Sequence, residues 1–297
     1  MTETGSRLAE QAPGDAAKSP QRRALRALMR DPMALAGGTV LVAAVLVAAL
    51  AGVIAPYDPE EMFVIDRLSA PSRTYPFGTD NFGRDLLSRV VHGARTSLLV
   101  AGLVAGAATL FGVAVGSVAG YYRRVDGPLM RLMDALMAFP SILLALAIMA
   151  ILGRGILNVV IALTLVYTPA MARLVRGAVL AAKEYEYVEA MRALGGRDWR
   201  LLIGHVLPNA LSVIVVQATF ISVYAILAEA GLSFLGAGAP PSVPSWGGIL
   251  AEGREYMIEA PWIMIFPGLA ITVTVLGLNL LGDGLRDALD PSTQKGG

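Results

Sequence analysis

Uncharged stretches of about 18 residues or more recur along this chain between short polar segments. That is the length an α-helix needs to cross a hydrocarbon core of about 30 Å. The first such stretch, Met33 to Ile54, is 22 uncharged residues. Five more follow, over about Thr96–Tyr122, Ala135–Gly153, Gly155–Ala172, Val206–Ala228 and Ala260–Gly282. Of the 297 residues, 55% are hydrophobic and 16% charged, against roughly 45–50% apolar in soluble domains. The expected fold is all-α: a polytopic membrane protein with six transmembrane helices and lipid as its solvent.

Four regions follow from this pattern. Residues 1–31 read as a disordered tail, rich in Ala, Gly and Pro, that ends in the basic cluster Arg22, Arg23, Arg26 and Arg30. The first apolar stretch is too long for the core of a cleaved signal peptide and reads as an anchor. With the polar segment behind it, it forms a unit over 32–95. The membrane domain proper is expected over 96–285, and 286–297 reads as a second tail. Spans three and four are joined by only a few residues around Arg154, which forces a tight helical hairpin.

Charge distribution orients the spans. Seventeen of the 24 Lys and Arg fall in the two tails, after span two and after span four. The other seven, Arg67, Arg73, Arg84, Arg89, Arg95, Arg154 and Arg254, fall on the opposite side. The positive-inside bias places both termini in the cytoplasm and turns 55–95 and 229–259 outward. The net charge of +1 gives no reason to expect a nucleic-acid partner. With no cysteine, thiolate metal sites are excluded.

Gly112, Gly116 and Gly120 recur every four residues in span two, after Gly102 and Gly106. Small residues on one helical face let a second backbone approach closely, either within the chain or on a partner. Pro140, Pro169, Pro208 and Pro267, in or beside spans, free carbonyls that need other partners.

The most informative stretch is cytoplasmic, over 183–208. Tyr185, Val188, Met191 and Leu194 share one helical face, and Trp199, Leu202, Ile203 and Val206 share another. Gly195 and Gly196 break the two, and Asp198 is placed to cap the second helix. Such a two-helix elbow carries an apolar edge that meets either another protein or the lipid surface.

Glu189, Ala190 and Met191, three residues, Gly195, nine residues, then His205, Val206, Leu207 and Pro208 resemble the EAA loop of bacterial ABC-importer permeases. That pattern reads E-A-A, three residues, G, nine residues, I, any residue, L-P. Met191 and His205 depart from it; the second departure resembles the H-x-L-P-N of peptide importers. Pro76–Asp85 is similar to the P-F-G-T-D-x-x-G-R-D of the C-type permease of dipeptide, oligopeptide and nickel importers. Asp80 or Asn81 is expected to cap the helix that follows. Met130, Arg131, Asp134 and Ala138–Pro140, and the ending from Asn279 to Pro291, match the same family.

The resemblance implies the permease subunit of an ATP-driven importer in the inner membrane. This chain would form half of a translocation pathway for di- or oligopeptides, with nickel, glutathione or haem as alternative solutes. The partners implied are a homologous B-type permease, two ATP-binding subunits and an extracytoplasmic solute-binding protein. The elbow residues Glu189, Ala190, Met191, Gly195, His205, Leu207 and Pro208 would couple to an ATPase subunit. No cofactor is expected on this chain; ATP and Mg belong to the ATPases.

No enzyme motif competes with this. None of Lys18, Lys183 and Lys295 lies in a phosphate-cradling G-x-x-x-x-G-K-[ST], and His92 and His205 form no H-E-x-x-H. Asp80, Asn81 and Asp85 lack the alternating spacing of a cation loop. A self-sufficient transporter or channel is expected to carry charged residues within its spans, and none lies between the span ends here. Glu229, at the outer end of span five, is read either as a pathway contact or as the structural partner of an arginine.

Overall fold

The computed structural model describes residues 28, 29 and 31–289. The basic cluster of the amino-terminal tail and the closing Asp290–Pro291 lie outside these residues. The described chain is helical, with a single isolated bridge between Thr79 and Asp85 in place of any strand. Its elements are α1 (Pro32–Ala49, with a further turn at Ala51–Ile54), α2 (Leu86–Tyr121), α3 (Arg123–Met137), α4 (Ser141–Leu152) and α5 (Ile156–Lys183). They continue with α6 (Glu186–Ala193), α7 (Asp198–Leu201), a π-helical turn (Leu202–Val206), α8 (Leu207–Phe234), α9 (Trp246–Gly253) and α10 (Trp262–Leu289).

Among the described residues, five helical stretches are long and apolar enough to span a membrane: α1, α2, α5, the continuous run from Asp198 to Phe234, and α10. The expected third span, Ala135–Gly153, is not one helix. It is split between α3 and α4, which meet at 91°. Pro140 is the cause, since it supplies no N–H and disfavours helical backbone in Phe139 before it. α4 alone has 12 residues, about 18 Å of rise and too short to cross. α3 turns its two aspartates toward α5, where Arg176 grips Asp126 through two hydrogen bonds of 2.5 and 2.7 Å and Arg173 pairs with Asp134. The count reaches six only when the bent pair is taken as one span.

Other boundaries move as well, among them the end of α5, which runs on to Lys183 rather than stopping near Ala172. α2 begins at Leu86 rather than near Thr96, because Arg89 is buried and paired instead of ending the helix in solvent. α10 runs on through Arg286 to Leu289. The α4–α5 hairpin is as tight as expected, with the Asn158 amide donating to the carbonyls of Leu152 and Gly153.

The glycine stripe of α2 packs inside the chain. A Cβ added at Gly112, Gly116 or Gly120 would meet Met171 Cβ at 2.5 Å, Val175 Cβ at 2.9 Å or the Arg176 carbonyl at 2.9 Å, all on α5. Met171, Ala172, Val175 and Val179 are fully buried beneath it. Gly102 and Gly106, about two to three turns earlier, have open space instead. α1 is more than an anchor, since Gly37 and Ala34 lie against Gly277, Leu281 and Gly284 of α10. Asp31 caps α1 by accepting from Met33 N at 2.9 Å, with Pro32 in the first turn where a missing N–H costs nothing. Outward-facing Val53, Leu110, Ile151 and Leu157 remain more than two-thirds exposed in the isolated chain, as lipid- or partner-facing side chains would be.

Candidate functional site

α6 is short and stops cleanly. Gly195 N donates to the Arg192 carbonyl and Gly196 N to the Met191 carbonyl, both at 3.0 Å, which is a Schellman closure. The closure requires left-handed backbone at Gly195, whose φ is +84°. Leu194, beside it, is 88% exposed.

α7 then starts at Asp198 with Arg197 in the capping position and no side-chain cap. Asp198 is therefore not the cap expected from sequence. Its carboxylate instead accepts from the Tyr121 hydroxyl at 2.9 Å, at the end of α2. The same hydroxyl accepts from Arg192 at 3.3 Å, and the hydrogen bond holds that guanidinium above its ordinary value. Lys183 adds a bond to the Gly120 carbonyl at 3.2 Å. This end of α2 is thus tied to both halves of the elbow.

The π-helical turn prepares for Pro208, which cannot donate within a helix; Leu207 N reaches back to the Leu202 carbonyl. The Tyr187 hydroxyl donates to the His205 carbonyl at 3.2 Å and accepts from the Asn209 amide at 2.8 Å. It thereby joins α6 to the start of α8. Glu189 and Ala190 are exposed, as is Pro208, while Met191, His205 and Leu207 are half-buried. The two expected apolar faces are divided. Val188, Leu202 and Val206 turn inward, whereas Trp199 and Ile203 stay more than half exposed. Glu189 makes no ion pair among the described residues, and Arg192 is engaged by Tyr121 instead.

Glu229 lies at the other end of α8, about 33 Å from Leu207 by helical rise. It is 1% exposed. Its carboxylate accepts from Ser97 at 3.1 Å and from Ser233 at 2.8 Å. Ser97 also accepts from Trp246 N at 3.2 Å, so the carboxylate sits where α2, α8 and α9 meet. Its hydrogen-bond partners are hydroxyls rather than an arginine, where α9 packs over it.

Sequence reading missed the charged cluster near this end. Asp80 is fully buried and accepts from Phe82 N and Arg84 N. It also pairs with Arg84 at 2.6 Å and Arg89 at 2.5 Å, and both arginines reach Glu252 on α9 at 2.6 Å. Asp80 is therefore neither a helix cap nor a cation ligand. Asp85 caps α2 instead, accepting from Ser88 N at 2.7 Å. Phe77 stacks on Phe266 with centroids 3.9 Å apart, and Trp262 donates to the Thr79 carbonyl. Gly83 has φ +79° and lies against the Phe63 backbone, where no side chain fits. The spacing in P-F-G-T-D-x-x-G-R-D held a signal for this fold of the loop, but Glu252 lies too far along the chain to be paired with it by eye.

Known proteins match this architecture. Residues 108–295 match the binding-protein-dependent transport system inner membrane component, and residues 19–71 match the N-terminal transmembrane domain of oligopeptide transport permease C. A putative peptide transport system permease protein of Brucella abortus is 49% identical, with 98% of each chain covered. The dipeptide transport system permease protein DppC of Alkalihalophilus pseudofirmus is 44% identical over 93% of this chain and 91% of its own. The glutathione transport system permease protein GsiD of Pectobacterium atrosepticum is also 44% identical, over 92% of each. In fold, a chain of the inward-facing MetNI methionine ABC transporter superposes with a TM-score of 0.58 at 19% identity, covering 69% of this chain and 98% of that one. The chain belongs to the family of inner membrane components of binding-protein-dependent transport systems, and is a permease subunit of an ABC importer resembling the C-type chains of peptide systems.

Proposed function

We propose that this chain forms half of a translocation pathway for di- or oligopeptides in the inner membrane, with both termini and the α6–α7 elbow in the cytoplasm. Its partners are a B-type permease, two ATP-binding subunits and an extracytoplasmic solute-binding protein. ATP is hydrolysed, with its Mg, on the ATP-binding subunits and not on this chain. The peptide substrate rests on the relatives named for peptide and dipeptide transport. Glutathione, itself a peptide, is the second reading, from an equally similar relative named for it.

The observation that carries the coupling role is the elbow itself. Exposed Glu189, Leu194, Trp199 and Ile203 surround a Gly195 closure that is bonded to the end of α2. A force applied at Leu194 reaches the spans through Tyr121. The test is reconstitution. The assembled complex should accumulate peptide in liposomes only with ATP and binding protein, and the chain alone should not. Peptide movement by the chain alone, without ATP, defeats the importer reading.

A further inference from the structure

α8 carries a primary amide deep within its apolar run whose hydrogen-bonding capacity is unused among the described residues. Gln217 is half-buried, ten residues into the helix, and its amide has no partner among the described residues. A primary amide left facing hydrocarbon without a partner is strongly unfavourable, so the surface around it is wet, meets protein, or meets a solute. Gln217 is also where two grooves meet, each of about 380 Å³. One is lined by Tyr167 and Tyr224 and the other by Ser212 and Phe220, with Gln217 in both.

The Gln217 face is continuous. Val213, Gln217, Phe220 and Tyr224 follow one another at helical spacing along α8. Tyr224 is 53% exposed, and while its carbonyl accepts from the Tyr167 hydroxyl, its own hydroxyl has no partner among the described residues. This composition is wrong for a packed helix pair, which is built from small residues that bring backbones together. α2 supplies such a surface at Gly102 and Gly106, where nothing lies within 4 Å. By contrast, grooves of several hundred cubic ångströms with aromatic walls and a few polar groups are what bound solutes occupy.

We infer that the Gln217 amide is a contact for the transported solute, donating to a carbonyl and accepting from an N–H of a passing peptide bond, with Tyr167 and Tyr224 forming the wall beside it. An amide matches a peptide bond in both directions without selecting side chains. The inference rests on the peptide reading above and adds the residue that meets the peptide.

The chain contains no cysteine, so Gln217→Cys places a single thiol on it. In the assembled complex in liposomes, a hydrophilic thiol reagent should label position 217, and a transported dipeptide with ATP and binding protein should slow that labelling several-fold. Gln217→Leu should lower peptide moved per ATP hydrolysed by about 3- to 10-fold, the worth of one neutral hydrogen bond, and Gln217→Asn should restore part of it. Three results each overturn the inference: no labelling, which means lipid or a partner helix covers the face; labelling that peptide leaves unchanged; and Gln217→Leu indistinguishable from the parent. If the parent complex moves no peptide at all, the peptide reading itself is lost together with this contact, whereas normal parent transport with any of those three results removes only the contact.

Discussion

Nη1 of Arg89 lies 2.6 Å from Oε2 of Glu252, a residue 163 positions further along the chain. Arg89 is almost wholly buried, and it is the strut between the loop that precedes α2 and the short helix α9. Removing one partner of such a buried pair leaves an uncompensated charge, at about 3–5 kcal/mol. Arg89→Ala should therefore lower the thermal midpoint of the purified complex strongly. Glu252→Ala should lower it less, since its side chain keeps some water contact. The double variant should be less destabilised than the two single changes added together. Additive losses show that the two residues are not coupled.

The α2–α5 contact makes a sharper steric prediction. Gly116→Val places atoms where the Val175 side chain and Ala172 backbone already lie. Overpacking of this kind costs about 1–3 kcal/mol and should reduce folded yield in the membrane. Gly102→Ala, at a site with open space around it, should leave yield unchanged. Size-exclusion profiles of the two variants decide it; equal profiles remove the glycine stripe as the packing device.

Much of this architecture was legible because bilayer length and the spacing of small residues are local signals. The helical hairpin at Arg154, the Gly112–Gly120 stripe and the left-handed stop at Gly195 are each encoded within a few residues. What was not legible depends on distant partners. Asp80 reads as a cap until Arg89 and Glu252 are brought to it. Asp198 reads as a cap until Tyr121, 77 residues earlier, takes its carboxylate. The break at Pro140 was visible as a proline, but its 91° size was not, nor were the ion pairs of Asp126 and Asp134 with Arg176 and Arg173 that hold α3 against α5. Glu229 was singled out by its cost in a span, yet the serines that enclose it came from two helices.

Orientation is testable with single thiols, because the chain has none of its own. Glu60 and Ser242 are exposed, so cysteines at these positions should label from outside with an impermeant reagent. Ser245 is fully buried and unsuitable. A cysteine at Gly195 should label only after the membrane is opened. External labelling at 195 inverts the topology.

The elbow predicts two distinguishable failures. Gly195 holds φ +84°, a conformation that a residue with a side chain reaches at about 1 kcal/mol or more. A Cβ there meets nothing within 4 Å of this chain, so a side chain adds backbone strain at Gly195 but its first carbon makes no clash within the chain. Gly195→Ala should therefore insert normally and transport with modest loss. Gly195→Trp should insert but lose both peptide uptake and the stimulation of ATP hydrolysis by binding protein. Glu189 is exposed and makes no ion pair among the described residues, so a purely structural role predicts no effect of Glu189→Ala. If it meets a cation of an ATPase subunit in a desolvated groove, its removal strands that charge at about 2–5 kcal/mol, and uptake and stimulated hydrolysis should fall together. Uptake equal to the parent in both Gly195→Trp and Glu189→Ala would show that force reaches the spans by some route other than this elbow and Tyr121.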